Sequence, residues 1–265
     1  MTSPSRKESV PLSSLESRLI AEIQSSRPDV GKVRHLLDQG VSPHLQARTH
    51  PPSYNLLQFS AEKGLLDIVT LLIDRGVDVN DCNGLDETPL HCAATGGHAD
   101  VIAHLLKKGA DPEIMDVFGS KPLHAAAIKA HKEAVISLLD HGANVNTASY
   151  DGHTALHEAS IFNYAALAKE LLARGADVDA RDKNGETPLH CAAEYGNRAL
   201  VTLLMQHGAD LDVRNYAGRM PEDLAPNKDI RHRIQDERVR RWRAINARGT
   251  ARKRKIIRPK GPRQP

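Results

Sequence analysis

The sequence predicts an all-α fold, a solenoid of stacked helix–turn–helix units, because two columns of residues recur along it. One column is a histidine and the other a glycine, and both keep a step of 33 residues. Self-similarity at such a period is typical of repeat architectures, in which stacking buries the apolar surface that each unit leaves uncovered. The histidines are His91, His124, His157 and His190, and the glycines are Gly76, Gly109, Gly142, Gly175 and Gly208.

Each element of a unit has its own local signal, clearest in the copy that starts at Gly185. Thr187 and Pro188 predict the start of a first helix, because Thr caps the orphan amides and Pro fits the first helical position. Leucine and valine at helical spacing over 200–204 predict the buried face of a second helix. Gly208 then follows the last turn, where a residue with positive φ is favoured.

The string T-P-L-H-x-A at this period resembles the ankyrin repeat, over roughly residues 14 to 230. The resemblance implies an ankyrin-repeat solenoid of about seven units including caps, each with two antiparallel helices and a β-turn finger. It divides the chain into a disordered N-terminus (1–13), an ankyrin repeat domain (14–230) and a basic C-terminal tail (231–265). The tail is expected to be helical at first and disordered from Arg248 onward.

Several positions depart from the repeat pattern without changing the predicted fold. The first unit lacks T-P-L-H and reads as an N-terminal cap. The step from Gly40 to Gly76 is 36, and we place the three extra residues in 49–52. In the second unit residues 55–58 replace T-P-L-H as a group. Single substitutions are Asp86 for the turn glycine, Lys121 for the capping Thr, Ala155 for Pro, and Ala130 and Asn163 for the glycine between the helices.

Charge is unevenly distributed along the chain. Of its 36 Lys and Arg, 14 lie in 231–265, and of its 33 Asp and Glu only two do. The tail therefore carries +12, while the 22 basic and 31 acidic residues of 1–230 give −9. The tail run of Arg252, Lys253, Arg254 and Lys255 resembles a nuclear localisation signal. An import signal, a non-specific nucleic-acid contact and an intramolecular clamp on the acidic repeats remain alternatives for it.

The segment between repeats and tail end predicts one more helix. Residues 227–247 are polar, with Ile230, Ile234, Trp242 and Ile245 as the apolar points of a helix that would cap the last repeat.

Composition favours an intracellular protein. No apolar run is long enough to span a membrane, and residues 1–10 are too polar for a signal peptide. Three cysteines without C-x-x-C spacing are typical of free thiols in a reducing compartment. We expect a cytoplasmic or nuclear monomer that does not contact a membrane.

The resemblance implies protein binding through turn tips and the exposed side of the first helices, a concave strip. Five of the chain's nine aromatic residues fall on these positions, and exposed aromatics are typical interface anchors. Packing against neighbouring turns is the alternative for some of them. The predicted partner-binding residues are Val117, Phe118, Ile128, Tyr150, Ile161, Phe162, Tyr195 and Tyr216.

No pattern predicts an enzyme, a metal site or a cofactor. The repeat histidines occur once per layer, about 8–10 Å apart, too far to share an ion. No nucleophile with a base, phosphate loop or zinc-protease helix is present. We therefore expect a non-enzymatic scaffold or adaptor for a protein partner. The alternative is a nuclear or nucleic-acid-associated regulatory protein that works through its Arg/Lys-rich tail.

Overall fold

The computed structural model describes residues 12–47 and 54–256, with the side chains of 13–46 and 54–247. These residues form 14 helices in seven successive pairs and one two-stranded sheet, so the predicted all-α repeat fold is confirmed. The elements are α1 (Leu12–Ile23), α2 (Val30–Asp38), β1 (Gln46–Ala47), β2 (Tyr54–Asn55), α3 (Leu56–Glu62), α4 (Leu66–Asp74), α5 (Pro89–Gly96), α6 (Ala99–Lys107), α7 (Pro122–Ile128), α8 (Lys132–Asp140), α9 (Ala155–Ile161), α10 (Ala165–Ala173), α11 (Pro188–Glu194), α12 (Arg198–Gln206), α13 (Pro221–Leu224) and α14 (Lys228–Ile256).

The chain divides into two compact units, Met1–Ala159 and Ser160–Pro265. In the first unit, α5 packs against α3, α7 and its own partner α6, and α8 packs on α6. In the second unit, α11 packs on α12 and α13, while α12 packs on α10 and α14. The leucine after each T-P or its substitute is buried in both units, as the repeat pattern requires: Leu57, Leu90, Leu123, Leu156 and Leu189 are at most 1% exposed.

The first helix of a repeat begins at the predicted cap. Thr88 and Thr187 are the N-cap residues of α5 and α11, and a proline takes the next position in each. The second repeat reaches the same geometry with other residues. Asn55 Oδ1 accepts the N–H of Gln58 at 2.8 Å, and Gln58 Oε1 accepts the N–H of Asn55 at 2.9 Å. The substituted motif therefore keeps its function as a helix start.

Positive φ recurs at the same three places of the repeats, even where glycine is absent. Asp86, Ala130 and Asn163 have φ of 58° to 59° and are the non-glycine residues with positive φ among those described. They are the positions where the sequence departs from a repeat glycine. Alanine in this region costs about 1–2 kcal/mol, so the stacked helices impose the turn on Ala130 against its local preference.

We expect Gly142→Val to lower the free energy of unfolding by about 1–3 kcal/mol, because a β-branched residue is strained at positive φ. Gly142 has φ +94°, and a Cβ added there would meet no other atom within 4 Å, so the backbone alone is responsible. Urea melts of the wild type, Gly142→Val and Gly142→Asn measure the effect. Asn tolerates positive φ and should lose less; equal loss in both variants would contradict this account.

A short sheet, which the sequence does not predict, flanks the insertion between the first two repeats. β1 and β2 are antiparallel, with Gln46 opposite Asn55 and Ala47 opposite Tyr54. The insertion predicted at 49–52 lies outside the described residues.

The last helix corrects one expectation. Ile230 and Ile234 are fully buried, but Trp242 and Ile245 are 65% and 70% exposed and do not cap the repeat. The reason is the length of the helix. At 1.5 Å per residue, α12 spans about 14 Å and α14 about 43 Å, so the second half of α14 extends beyond α12. The helical backbone continues past Arg248, where the sequence predicts the start of disorder. Residues 257–265 lie outside the described part, and the three-region division stays a prediction.

Arginines of α14 attach its first half to the last repeats instead. Arg238 donates to both carboxylate oxygens of Glu222 at 2.9 Å and to Leu211 O at 2.8 Å. Arg241 donates to Met205 O at 2.6 Å and Ala209 O at 2.8 Å, which satisfies carbonyls at the end of α12. The basic tail is thus partly an internal structural element.

Candidate functional site

The predicted partner-binding residues differ in how much surface they present. The five aromatic rings are between 47% and 74% exposed, and Val117 is 42% exposed. Ile128 and Ile161, at the ends of α7 and α9, are half-buried and therefore less accessible than the rings. Aromatic side chains therefore supply most of the apolar surface at these positions. The rings are those of Phe118, Tyr150, Phe162, Tyr195 and Tyr216.

An Asp or Asn at the start of a β-turn fixes the turn tip. Asp116 Oδ1 accepts the N–H groups of Phe118 and Ser120, both at 2.8 Å. In the second unit, Asp182 Oδ1 accepts two N–H groups of the following turn in the same way. Because these turns mimic a closed backbone turn, the tip residues are held in place before any partner binds.

Tip residues of the first unit also contact the preceding turn. Val117 N–H donates to Leu85 O at 3.0 Å, and Tyr150 N–H donates to Phe118 O at 3.4 Å. The Tyr150 ring lies so close to Gly119 that a side chain there would overlap it. Tyr150 therefore packs on a neighbouring turn and still presents more than half of its surface, and its role in partner binding stays a prediction.

The second unit repeats this arrangement around Tyr216. Its N–H donates to Asn184 O at 2.9 Å, and its ring lies against Gly185. The Arg181 guanidinium carbon is 5.5 Å from the Tyr216 ring centroid. Elsewhere in this unit Phe162 stacks on Tyr164, with ring centroids 5.8 Å apart. A single strip that joins the rings of both units stays a prediction.

Three arginines near Tyr216 are not among the residues that the sequence predicts for partner binding, namely Arg181, Arg214 and Arg219. Arg181 Nη2 donates to Arg214 O at 2.7 Å, across one repeat step of 33 residues. The signal that could have found them is this shared column, since residues one period apart become neighbours in a stacked repeat.

The repeat histidines join adjacent layers by hydrogen bonds. His124 Nδ1 accepts the N–H of Lys121 at 3.1 Å, and its Nε2 lies 3.1 Å from Thr147 O and 3.0 Å from His153 O. A neutral ring with its proton on Nε2 satisfies all three contacts. Burial lowers the pKa of His91, His124 and His190, which favours this neutral form. The histidines are structural residues of the repeat.

We expect the protein to lose stability on acidification through pH 6.5. The unfolded histidines take up protons near that pH, whereas the lowered pKa keeps the folded ones neutral, so the unfolded state binds more protons. The stabilisation is complete above about pH 6.5 and falls below it, by up to about 1.4 kcal/mol per histidine and pH unit. Urea melts at neutral and mildly acidic pH measure it, and greater stability in acid would contradict the assignment.

The fluorescence of Trp242 tests whether the second half of α14 is exposed to solvent. This residue is the only tryptophan of the chain and is 65% exposed. We expect its emission maximum to shift little when urea unfolds the repeats, while far-UV circular dichroism shows a cooperative transition. A large red shift on unfolding would instead place the ring in a buried contact.

The structure gives less information on the basic run of the tail, on metal sites and on membrane contact. The side chains of Arg252, Lys253, Arg254 and Lys255 lie outside the described part, although their backbone belongs to α14. In the portion that is described, no group of His, Cys, Asp and Glu is arranged to hold a metal ion. Among the helices described, none combines the length and apolar character needed to cross a membrane.

Comparisons with known proteins agree with the repeat geometry. The family model for ankyrin repeats matches three overlapping stretches, residues 23–116, 104–182 and 151–215. No curated protein matches the chain in sequence. Among solved structures, the crystal structure of the human ASB11 ankyrin repeat domain is similar, with a TM-score of 0.72 and 27% identity over 84% of this chain and 96% of that one. The chain belongs to the ankyrin-repeat family.

Proposed function

We propose that this protein is a non-enzymatic adaptor that binds a partner protein through exposed aromatic residues at its turn tips and first-helix ends. Ankyrin repeats are generally protein–protein interaction modules. The observation that carries the proposal is the placement of five of nine aromatic residues, all exposed, at turn tips and first-helix ends. Aromatic side chains held on fixed turns lose little conformational freedom on binding, which makes them effective anchors.

The most informative variants change rings that do not support the fold. Phe118 and Tyr195 are 67% and 59% exposed, whereas Tyr150 and Tyr216 pack on neighbouring turns. The double change Phe118→Ala with Tyr195→Ala should weaken capture of the partner by about tenfold or more, with an unchanged thermal melt. Trp242→Ala is the matched control, because it removes an equally exposed ring away from the tips.

Quantitative affinity capture with the wild type, the double variant and the control tests the proposal. Partners that the control retains and the double variant loses support binding through these aromatic residues. If both variants retain the same partners at the same level, the aromatic residues are not the binding surface and the proposal fails.

The alternative, a nuclear or nucleic-acid role of the tail, has weaker support. Arg231, Arg233, Arg238 and Arg241 already bond to groups of the repeats or the linker before α14. Arg238 pairs with the carboxylate of Glu222 and Arg241 with that of Glu237, so part of the tail's charge is already compensated. Removal of residues 248–265 separates the two functions: an adaptor keeps its partner, whereas a tail-driven protein loses binding. We also propose a cytoplasmic or nuclear location, because three cysteines without C-x-x-C spacing are typical of a reducing compartment.

A further inference from the structure

Four cations lie at the turn tips of the second unit that also carry Tyr216, and we call them the basic tip cluster: Arg181, Lys183, Arg214 and Arg219. All four are exposed. None of them forms an ion pair with a carboxylate of the described residues, although other surface cations do, such as Lys108 with Asp74 at 3.0 Å. The cluster is therefore available to an anionic ligand.

Two of these arginines are held in place by neutral groups. Arg181 Nη2 bonds to Arg214 O, and Arg214 Nη1 bonds to Gly218 O, both at 2.7 Å. The carbonyls fix each guanidinium without neutralising it, and other N–H groups of the planar fork remain for a carboxylate. The Tyr216 ring, 5.5 Å from the Arg181 guanidinium carbon, adds an apolar surface beside the charge.

The basic tip cluster is positively charged, whereas the repeats as a whole are negatively charged. Residues 1–230 carry a net −9, yet these turns gather like charges that repel one another. In the first unit the corresponding tips are apolar, with Val117, Phe118 and Tyr150 exposed, and the nearby Lys121 is paired with Glu113 at 2.7 Å. A local reversal of this kind attracts and orients an oppositely charged partner.

A surface cavity of about 440 Å³ at the cluster narrows the class of ligand. Lys183, Tyr216 and Arg219 line it, but so do Glu186 and Glu194. Two carboxylates on the wall disfavour a continuous phosphate backbone, which presents negative charge along its whole length. A peptide presents separate carboxylates for the cations and N–H groups for Glu194, so it fits both signs of charge.

We propose that the basic tip cluster binds an acidic, extended segment of the partner protein. Its carboxylates pair with Lys183 and Arg219, and an apolar side chain covers the Tyr216 ring. The inference rests on the proposed adaptor function and specifies the chemistry of the partner at the second unit.

The test titrates the full chain into a short fluorescein-labelled peptide of alternating glutamate and leucine, read by fluorescence anisotropy at low salt. The charge reversal Lys183→Glu with Arg219→Glu should weaken binding by about tenfold or more, because two charge-assisted contacts are lost. The control Lys107→Glu with Lys129→Glu changes the net charge equally at exposed sites of the first unit and should change affinity by less than about twofold. Should the reversal lower the melting temperature, Lys183→Gln with Arg219→Gln replaces it.

Equal loss in the reversal and the control would overturn the proposal, because net charge alone would then govern binding. Stronger competition by a random DNA duplex than by unlabelled peptide would also overturn it, since the cluster would then recognise phosphate. If the peptide fails to bind while the Phe118 and Tyr195 double variant still loses its partner, the acidic preference is wrong and the adaptor function stands.

Discussion

His124→Ala is expected to lower the free energy of unfolding by about 3–4 kcal/mol, a large effect for one side chain. The ring is 1% exposed and connects the start of its own first helix to the next turn. Its removal leaves the Lys121 N–H without an acceptor and the Thr147 carbonyl without this donor. Each buried orphan costs about 1–3 kcal/mol, and the vacated volume adds a cavity term.

The chain itself supplies the matched control for this change. Gln58 occupies the histidine position of an earlier repeat, where its amide nitrogen donates to Asp81 O at 2.8 Å and to Glu87 O at 3.1 Å. His124→Gln should therefore lose only about 1 kcal/mol and should also reduce the pH dependence, because glutamine does not titrate whereas His91 and His190 still do. If Ala and Gln lower stability equally in urea melts, the hydrogen bonds contribute little and the histidine acts mainly by filling space.

Sequence alone predicts those parts of the fold that repeat. Thr187, Pro188, His190 and Gly208 each have one structural role that recurs in most copies, so their chemistry and period determine the helix starts and ends. What the pattern does not predict is how far the stack tolerates exceptions. Ala130 adopts positive φ because packing on both sides outweighs its own preference, and no local signal in the sequence indicates that.

The candidate site also has a part that the sequence predicts and a part that it does not. Exposure of Phe118 and Tyr195 follows from their place in the repeat, because the core columns are already filled by Leu, Val and Ala. The basic tip cluster does not follow from any one segment, since its members lie up to 38 residues apart, more than one repeat period. Their proximity depends on the stacking of turns, which places Arg181 beside the carbonyl of Arg214.

Arg238→Ala is the second change expected to have a large effect, about 2–3 kcal/mol of lost stability. Arg238 contacts Glu222, whose side chain is 11% exposed, and its Nε lies 2.7 Å from Asp212 Oδ1. Removing one partner of a buried pair leaves an uncompensated charge, at a cost of about 3–5 kcal/mol when burial is complete. The Arg238 side chain is 28% exposed, so we discount that figure for solvent screening.

Arg240→Ala provides the matched control on the same helix. Arg240 is 78% exposed and pairs with Glu237 one turn away, so its loss should change stability by no more than about 0.5 kcal/mol. Adding Glu222→Gln to Arg238→Ala removes the orphaned charge and should restore part of the loss, which separates electrostatics from packing. If Arg238→Ala and Arg240→Ala give the same urea midpoint, α14 is not anchored through Glu222. A clear difference between them would mean that the first half of the basic tail is part of the folded repeat domain, and that only the residues beyond it are available to act as a separate tail.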